Sequence, residues 1–268
     1  MFANLLNRLR RKKAFQEYAF RIVDFELPQD GTVQYAQWLH PGEFGNQVRQ
    51  ESVNFYRTYV RHGDFIIDIG ANEGDTTVPM AIAAGKEGLT LALEPNPHVF
   101  KVLEANAKLN PGFTRIVPLN FAATAYDGEF TFGSGDPSYG NGGIVGFTHN
   151  QSRNVRYQFQ VTGKNLEDYL RKNFADKLPR LTLIKVDAEG YDKEILKTLK
   201  GVITEFKPTL ITECFGPSTA EEKQELYDLL IHLGYEVFRQ GDFLGAAPEK
   251  VDHFGGKATF DVLALPKR

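Results

Sequence analysis

Cysteine is almost missing from this sequence: Cys214 stands alone among 268 residues. One thiol makes neither an internal disulfide nor a cysteine-based zinc site, which excludes a disulfide-stapled secreted module and a zinc finger. Long apolar runs are missing too; no stretch approaches the ~20 residues that a membrane span needs. Charge of one sign is not in excess either, with 31 Lys and Arg against 34 Asp and Glu. Proteins that grip nucleic-acid phosphates usually carry a basic surplus, so no nucleic-acid partner is expected. Repeats and low-complexity tracts are absent. What remains is a chain with 42% hydrophobic residues, long enough to bury a substantial core.

At the N-terminus, Phe2, Leu5, Leu6 and Leu9 fall at helical spacing ahead of Arg10, Arg11, Lys12 and Lys13. A secretory signal places its charge before the apolar run, so this segment reads as a short amphipathic helix packed on the body. Weak attachment to a membrane surface is the alternative. The expected compartment is the cytoplasm.

Residues 1–62 read as an N-terminal elaboration. It holds possible strands at Phe20–Phe25 and Val33–Trp38, a loop at His40–Gly45 and a helix from about Asn46 to Arg61. Over residues 63–268 strands and helices alternate, which predicts an α/β fold with a doubly wound, mostly parallel sheet. The strands are Phe65–Ile69, Leu89–Leu93, Arg115–Leu119, Leu181–Val186 and Thr209–Thr212, closed by Tyr235–Arg239 and Thr259–Leu265. The last is expected to be an antiparallel edge strand. Helices are expected at Thr76–Ala84, with Pro79 in its first turn, and at Val99–Leu109. In the second, Asn96 caps and Pro97 opens the helix. Further helices fall from about Leu166, around Lys193–Leu199 and from about Ala220 to Leu233. The alternation breaks at an insert of about residues 127–162, read as a β-hairpin pairing Glu129–Phe132 with Tyr157–Val161. Its glycine-rich stretch, residues 133–146, carries Asp136, Ser138, Tyr139 and Asn141 and is expected to act as a lid over an acceptor.

Ligands of open α/β sheets bind beyond the carboxyl ends of the strands, so the chemistry is sought there. The first strand runs into Asp68-Ile69-Gly70-Ala71-Asn72-Glu73-Gly74. Gly70 and Gly74 let the backbone turn and approach a ligand closely. Asp68 and Glu73 stand where a dinucleotide fingerprint needs glycine, and a carboxylate beside a pyrophosphate is unfavourable. An ammonium-bearing ligand suits Asp68 better; a capped glycine turn is the structural alternative. The second strand ends at Glu94, a carboxylate able to accept hydrogen bonds from both hydroxyls of a ribose. The strand Leu181–Val186 runs out through Lys185, Asp187 and Glu189 on alternate positions, which share one side while the chain stays extended, and Glu213 ends the next strand. These acids suit orienting a hydroxyl, taking its proton or holding a divalent cation, with an internal ion-pair network as the competing reading. The histidines have no catalytic spacing, and no H-x-E or H-E-x-x-H pattern marks a metal site.

FIIDIGANEGDTT, LALEPNP and LIKVDAEGYDKEIL together resemble the signature blocks of the FkbM-type S-adenosylmethionine-dependent methyltransferases, over about Ser52 to Phe238. The resemblance implies a class I methyltransferase (Rossmann-like) fold and methyl transfer to oxygen on a sugar or another hydroxylated small molecule or glycan. It implies that Asp68, Gly70, Asn72 and Gly74 form the methionine-side loop, that Glu94 binds the ribose, and that Asn120 and Ala122 lie near the adenine. Asp187 and Glu189 would face the reaction centre, Asp187 also meeting the cofactor, with Glu213 a third candidate acid. An NAD-dependent nucleotide-sugar enzyme and a non-catalytic cofactor-binding module are the rival readings.

Overall fold

The computed structural model describes residues 16–41, 45–135, 142–146 and 157–267. The amphipathic helix expected at the N-terminus, His149, and Asp136 to Asn141 of the glycine-rich stretch lie outside these residues.

In the N-terminal elaboration, β1 (Phe20–Leu27) and β2 (Gly31–Trp38) form an antiparallel hairpin, followed by α1 (Gln50–Arg57). The helix is shorter than its pattern suggests. Arg49 is still extended (φ −122°), and the Asn46 side chain is engaged elsewhere, on Glu73.

The α/β region begins with β3 (Phe65–Ile69), α2 (Thr77–Ala84), β4 (Leu89–Leu93), α3 (Pro97–Lys108) and β5 (Ile116–Leu119). Pro79 is the third residue of α2, within the first turn, where its ring is tolerated. Asn96 caps α3 by accepting from the His98 N–H, and Pro97 takes the first helical position. The insert follows as β6 (Ala122–Thr124), β7 (Gly128–Ser134), β8 (Gly142–Ile144) and β9 (Tyr157–Asn165). The expected pairing of β7 with β9 is present, within a separate four-stranded sheet of order β6-β9-β7-β8. The chain continues with α4 (Leu166–Asn173), β10 (Leu181–Val186), α5 (Asp192–Thr198), α6 (Lys200–Phe206), β11 (Thr209–Cys214), α7 (Ala220–His232), β12 (Tyr235–Gln240), β13 (Glu249–Lys250) and β14 (Phe260–Pro266). Helix α6 is not predicted from the pattern. It ends at Lys207 in a left-handed conformation, φ 51°.

The central sheet has the order β13-β12-β14-β11-β10-β3-β4-β5. Strands β11, β10, β3, β4 and β5 are mutually parallel. The antiparallel strand expected at an edge, β14, instead lies between β11 and β12, and the edge beyond β12 is the two-residue antiparallel β13. Strand order reverses between β3 and β10, which opens a crevice at their carboxyl ends.

Side-chain alternation divides β3 between two layers. Phe65, Ile67 and Ile69 pack towards α4, α5, α7 and the inserted sheet, whereas Ile66 packs with Phe55 and Tyr56 of α1 and Met80 of α2. The N-terminal hairpin shares a core with α2 and α3 through Leu27, Val33 and Tyr35. Asn106 on α3 and Asn110 just beyond its end dock onto the backbone of β2. Asn106 accepts from Ala36 N at 2.7 Å and donates to Ala36 O and Glu73 O, and Asn110 pairs both ways with Gln34. These side chains satisfy one edge of β2 as a neighbouring strand would.

Candidate functional site

The crevice between β3 and β10 opens into a cavity of about 250 Å³. The loop after β3 crosses its floor with Gly70 at φ 77°, Asn72 at φ 48° and Gly74 at φ 101°. A Cβ on Gly70 would stand 1.8 Å from the Asp187 carbonyl oxygen, so the two strand-end loops touch only because residue 70 is glycine. The Asp187 N–H donates to Ile69 O at 2.9 Å, completing that contact. Gly74 lies back from the cavity wall, against Leu103 and Asn106.

Gly70, Asn72, Glu94, Phe121, Ala122, Asp187, Glu189 and Glu213 all border the cavity. Folding thus brings together most of the residues singled out from the sequence. The β7–β8 hairpin supplies Phe132, Gly143 and Ile144 to the same wall, so the insert reaches the site through its described residues.

Asp68 is the exception. It has no solvent-exposed surface and lies on the α2 side of the sheet, one residue out of phase with Ile69, which borders the cavity. It accepts from Thr77 Oγ1 at 2.6 Å and Thr76 Oγ1 at 3.3 Å, and Lys185 Nζ stands 3.6 Å away. The alternation that buries Ile66 and Asp68 together makes Asp68 an anchor behind the loop rather than part of the cavity wall. Asn120 also holds the frame rather than the wall: its amide donates to Glu94 O at 2.8 Å and Pro95 O at 3.2 Å.

The expectation that Lys185, Asp187 and Glu189 share one side holds only in part. Lys185 is buried between Asp68 and Asp187, with Nζ 3.1 Å from Asp187 Oδ2. Burial pushes its pKa down, but the two carboxylates more than reverse this and hold it well above the ordinary lysine value. The strand ends at Val186, however, and Glu189 adopts φ 52°, so strand alternation does not govern its direction. That turn is tied down by Asp192, which the sequence reading missed. Asp192 is 1% exposed and accepts from the amides of Ala188, Gly190 and Glu213 and from Thr212 Oγ1. A carboxylate opening α5 directly after the glutamate-glycine turn was its available signal.

The acids of the wall are electrostatically frustrated. Burial raises Glu94 to about 7, against the opposing amides of Asn96 and Asn72. Burial and the charge of Asp187 raise Glu189 to about 7. Burial, then Asp187, Asp192 and Glu189, carry Glu213 up to about 9. Near neutral pH Glu213 is therefore a carboxylic acid and a hydrogen-bond donor, while Glu189 sits at its midpoint. Two buried polar atoms on the wall, Asn72 Oδ1 and Glu213 Oε2, have no hydrogen-bond partner among the described residues. No histidine among the described residues borders the cavity; His40 packs its ring between Tyr18 and Trp38. Among the described residues, no three His, Cys, Asp or Glu side chains are grouped to hold a metal ion.

Residues 68–237 match the Methyltransferase FkbM domain family. The chain is 24% identical over 155 residues to the hexuronic acid methyltransferase AglP of Haloferax volcanii, covering 58% of this chain and 57% of that enzyme. It is 27% identical over 196 residues to the methyltransferase sdnD of Sordaria araneosa, covering 65% and 74%. Solved structures similar to it include a methyltransferase FkbM from Methylobacillus flagellatus KT (TM-score 0.43, 15% identity, 79% of this chain and 50% of that one). Another is Aeropyrum pernix fibrillarin with natively bound S-adenosyl-L-methionine (TM-score 0.45, 12% identity, 93% and 98%). The FkbM domain match reaches further into the site. It spans more than half of the sequence and all the strand-end loops that frame the cavity, and the chain belongs to the FkbM family of S-adenosylmethionine-dependent methyltransferases.

Proposed function

We propose that the chain transfers the methyl group of S-adenosylmethionine to a hydroxyl oxygen of a sugar or another hydroxylated small molecule. One observation carries this reading: the ribose-type carboxylate Glu94 and the acids Asp187, Glu189 and Glu213 open onto one cavity at the switch in strand order.

The residues present fit the cofactor. Glu94 offers acceptors for the ribose hydroxyls, Phe121 and Ala122 an apolar bed for the base, and the unpartnered Asn72 Oδ1 an acceptor for the ammonium. When bound, the cofactor supplies an electrophilic methyl group. The protein's own work is then alignment and proton removal. Glu189, half ionised near neutrality, would accept the proton that the acceptor hydroxyl gives up when it takes the methyl group. Glu213, still protonated, donates a hydrogen bond that orients the acceptor. Two acids split in this way by their surroundings divide the base and donor roles. The name of the Haloferax volcanii relative, a hexuronic acid methyltransferase, supports a sugar as the acceptor.

The test is mass spectrometry of a library of hydroxylated acceptors incubated with cofactor carrying a deuterated methyl group. The expected product carries the label on oxygen. The pH dependence of kcat/KM should be bell-shaped, with limbs near the values held by Glu189 and Glu213, about 7 and about 9. Labelling of nitrogen alone, or binding of NAD in place of S-adenosylhomocysteine, would overturn the reading.

A further inference from the structure

The side chain of Asp192 borders a small crevice behind the wall, together with Gly190, Glu213 and Lys223, and does not border the main cavity. Its two oxygens serve two separate segments. Oδ2 accepts from the Ala188 and Gly190 amides at 3.3 and 3.2 Å, on either side of Glu189. Oδ1 accepts from Thr212 Oγ1 at 3.2 Å and the Glu213 amide at 3.1 Å, at the end of β11. We propose that Asp192 is a positioning residue, a carboxylate clamp that fixes the backbones of Glu189 and Glu213 relative to each other at the carboxyl ends of β10 and β11.

All four donors point at one carboxylate, so only a group with acceptors on both sides completes the arrangement. Asp192→Asn sets an NH2 against either the Ala188 and Gly190 amides or the Thr212 and Glu213 donors, whichever way the amide turns. One loop is then released while size and packing are kept. Glu189 is the more sensitive of the two acids, because φ 52° is a conformation that a non-glycine residue holds only when its surroundings impose it. Asp192, itself raised to about 7 by burial and by Asp187, is ionised where Glu213 titrates, and its charge is then one of those that keep Glu213 protonated, alongside Asp187, Glu189 and Asp261.

This inference rests on the hydroxyl-methylation reading for its kinetic readout, and a second readout makes it independent of any acceptor. In the kinetic experiment, Asp192→Asn should lower kcat by about 100-fold, the scale of a misplacement of roughly 1 Å, while S-adenosylhomocysteine affinity stays within about threefold. The alkaline limb should move to lower pH as Glu213 loses a neighbouring charge. The milder Thr212→Val removes one donor and should lower kcat by less than about tenfold with the fold intact. In the second experiment, carboxyl-carbon NMR titration of Glu213 should give a lower pKa in Asp192→Asn than in wild type. If Asp192→Asn lost cofactor affinity in proportion to kcat, or kept both its kcat and the Glu213 titration unchanged, the clamp would be refuted. A wild-type enzyme that methylates no hydroxyl, with the Glu213 shift still seen in Asp192→Asn, would refute the acceptor reading and leave the clamp standing.

Discussion

At the scale of single residues, charge burial decides most of what happens. Glu94 is 5% exposed and already receives two backbone amides, so a ligand that binds it meets a preoriented carboxylate. Glu94→Ala should weaken S-adenosylhomocysteine binding by about 1–3 kcal/mol, the worth of a hydrogen bond to a charged group, as calorimetry would show. Lys185 is 4% exposed and holds Asp68, which is itself without exposure. Lys185→Met keeps the volume but leaves Asp68 buried without its cation. The expected loss is about 3–5 kcal/mol of unfolding free energy, measurable by denaturant titration. An unchanged midpoint would mean that the threonine hydroxyls alone suffice for Asp68.

Among the elements, the N-terminal hairpin and the loop after β3 depend on each other. Tyr35 on β2 and Asn46 ahead of α1 both donate to Glu73 Oε1 inside that loop, while Asn106 ties Glu73 O to the backbone of Ala36. The elaboration is therefore a brace for the cavity floor. Asn106→Leu leaves a buried amide and two carbonyls without partners and should cost about 2–4 kcal/mol. It should also weaken S-adenosylhomocysteine binding, although residue 106 does not border the cavity; parallel thermal-shift and calorimetric measurements check both effects. Stability lost without any change in affinity would reduce the brace to packing. The elements themselves were largely legible beforehand, because β3, β4 and β10 are short apolar runs punctuated by glycine and proline. The place of β14 was not: which strands flank it depends on contacts between residues far apart in sequence, and a strand's own pattern is silent on those.

For the whole molecule, the raised carboxyl groups give stability a definite slope with pH. Glu94, Glu189, Asp192, Glu213 and Asp261 all hold their protons more tightly folded than in an unfolded chain, at about 7, 7, 7, 9 and 6. The folded state then binds more protons than the unfolded one from about pH 4.5 upward, so their contribution is greatest below that pH and is lost as pH rises through these values. The melting temperature should accordingly fall between pH 6 and pH 9. Glu213→Gln, which cannot ionise, should flatten the part of that fall nearest pH 9; scanning calorimetry of both proteins across this range decides it. A wild-type profile that rises with pH would contradict the burial of these acids.

The sequence by itself determined the alternation that makes a doubly wound sheet, the glycine turn at Gly70, and the acids at the strand ends, because each is written in neighbouring residues. Helix boundaries at Asn96 and Pro97 were fixed in the same way, by a cap and a ring that act within one turn. Tertiary structure alone decided which acids reach the cavity. Asp68 and Glu94 both belong to the ends of parallel strands, yet two-residue alternation and the packing of α2 against β3 turn one away and leave the other on the wall. It also decided protonation, since a carboxyl group's pKa depends on burial and on charges that folding brings near. The same holds for Asp192, whose four donors are gathered from two separate strand ends. Such convergence exists only once β10 and β11 lie side by side.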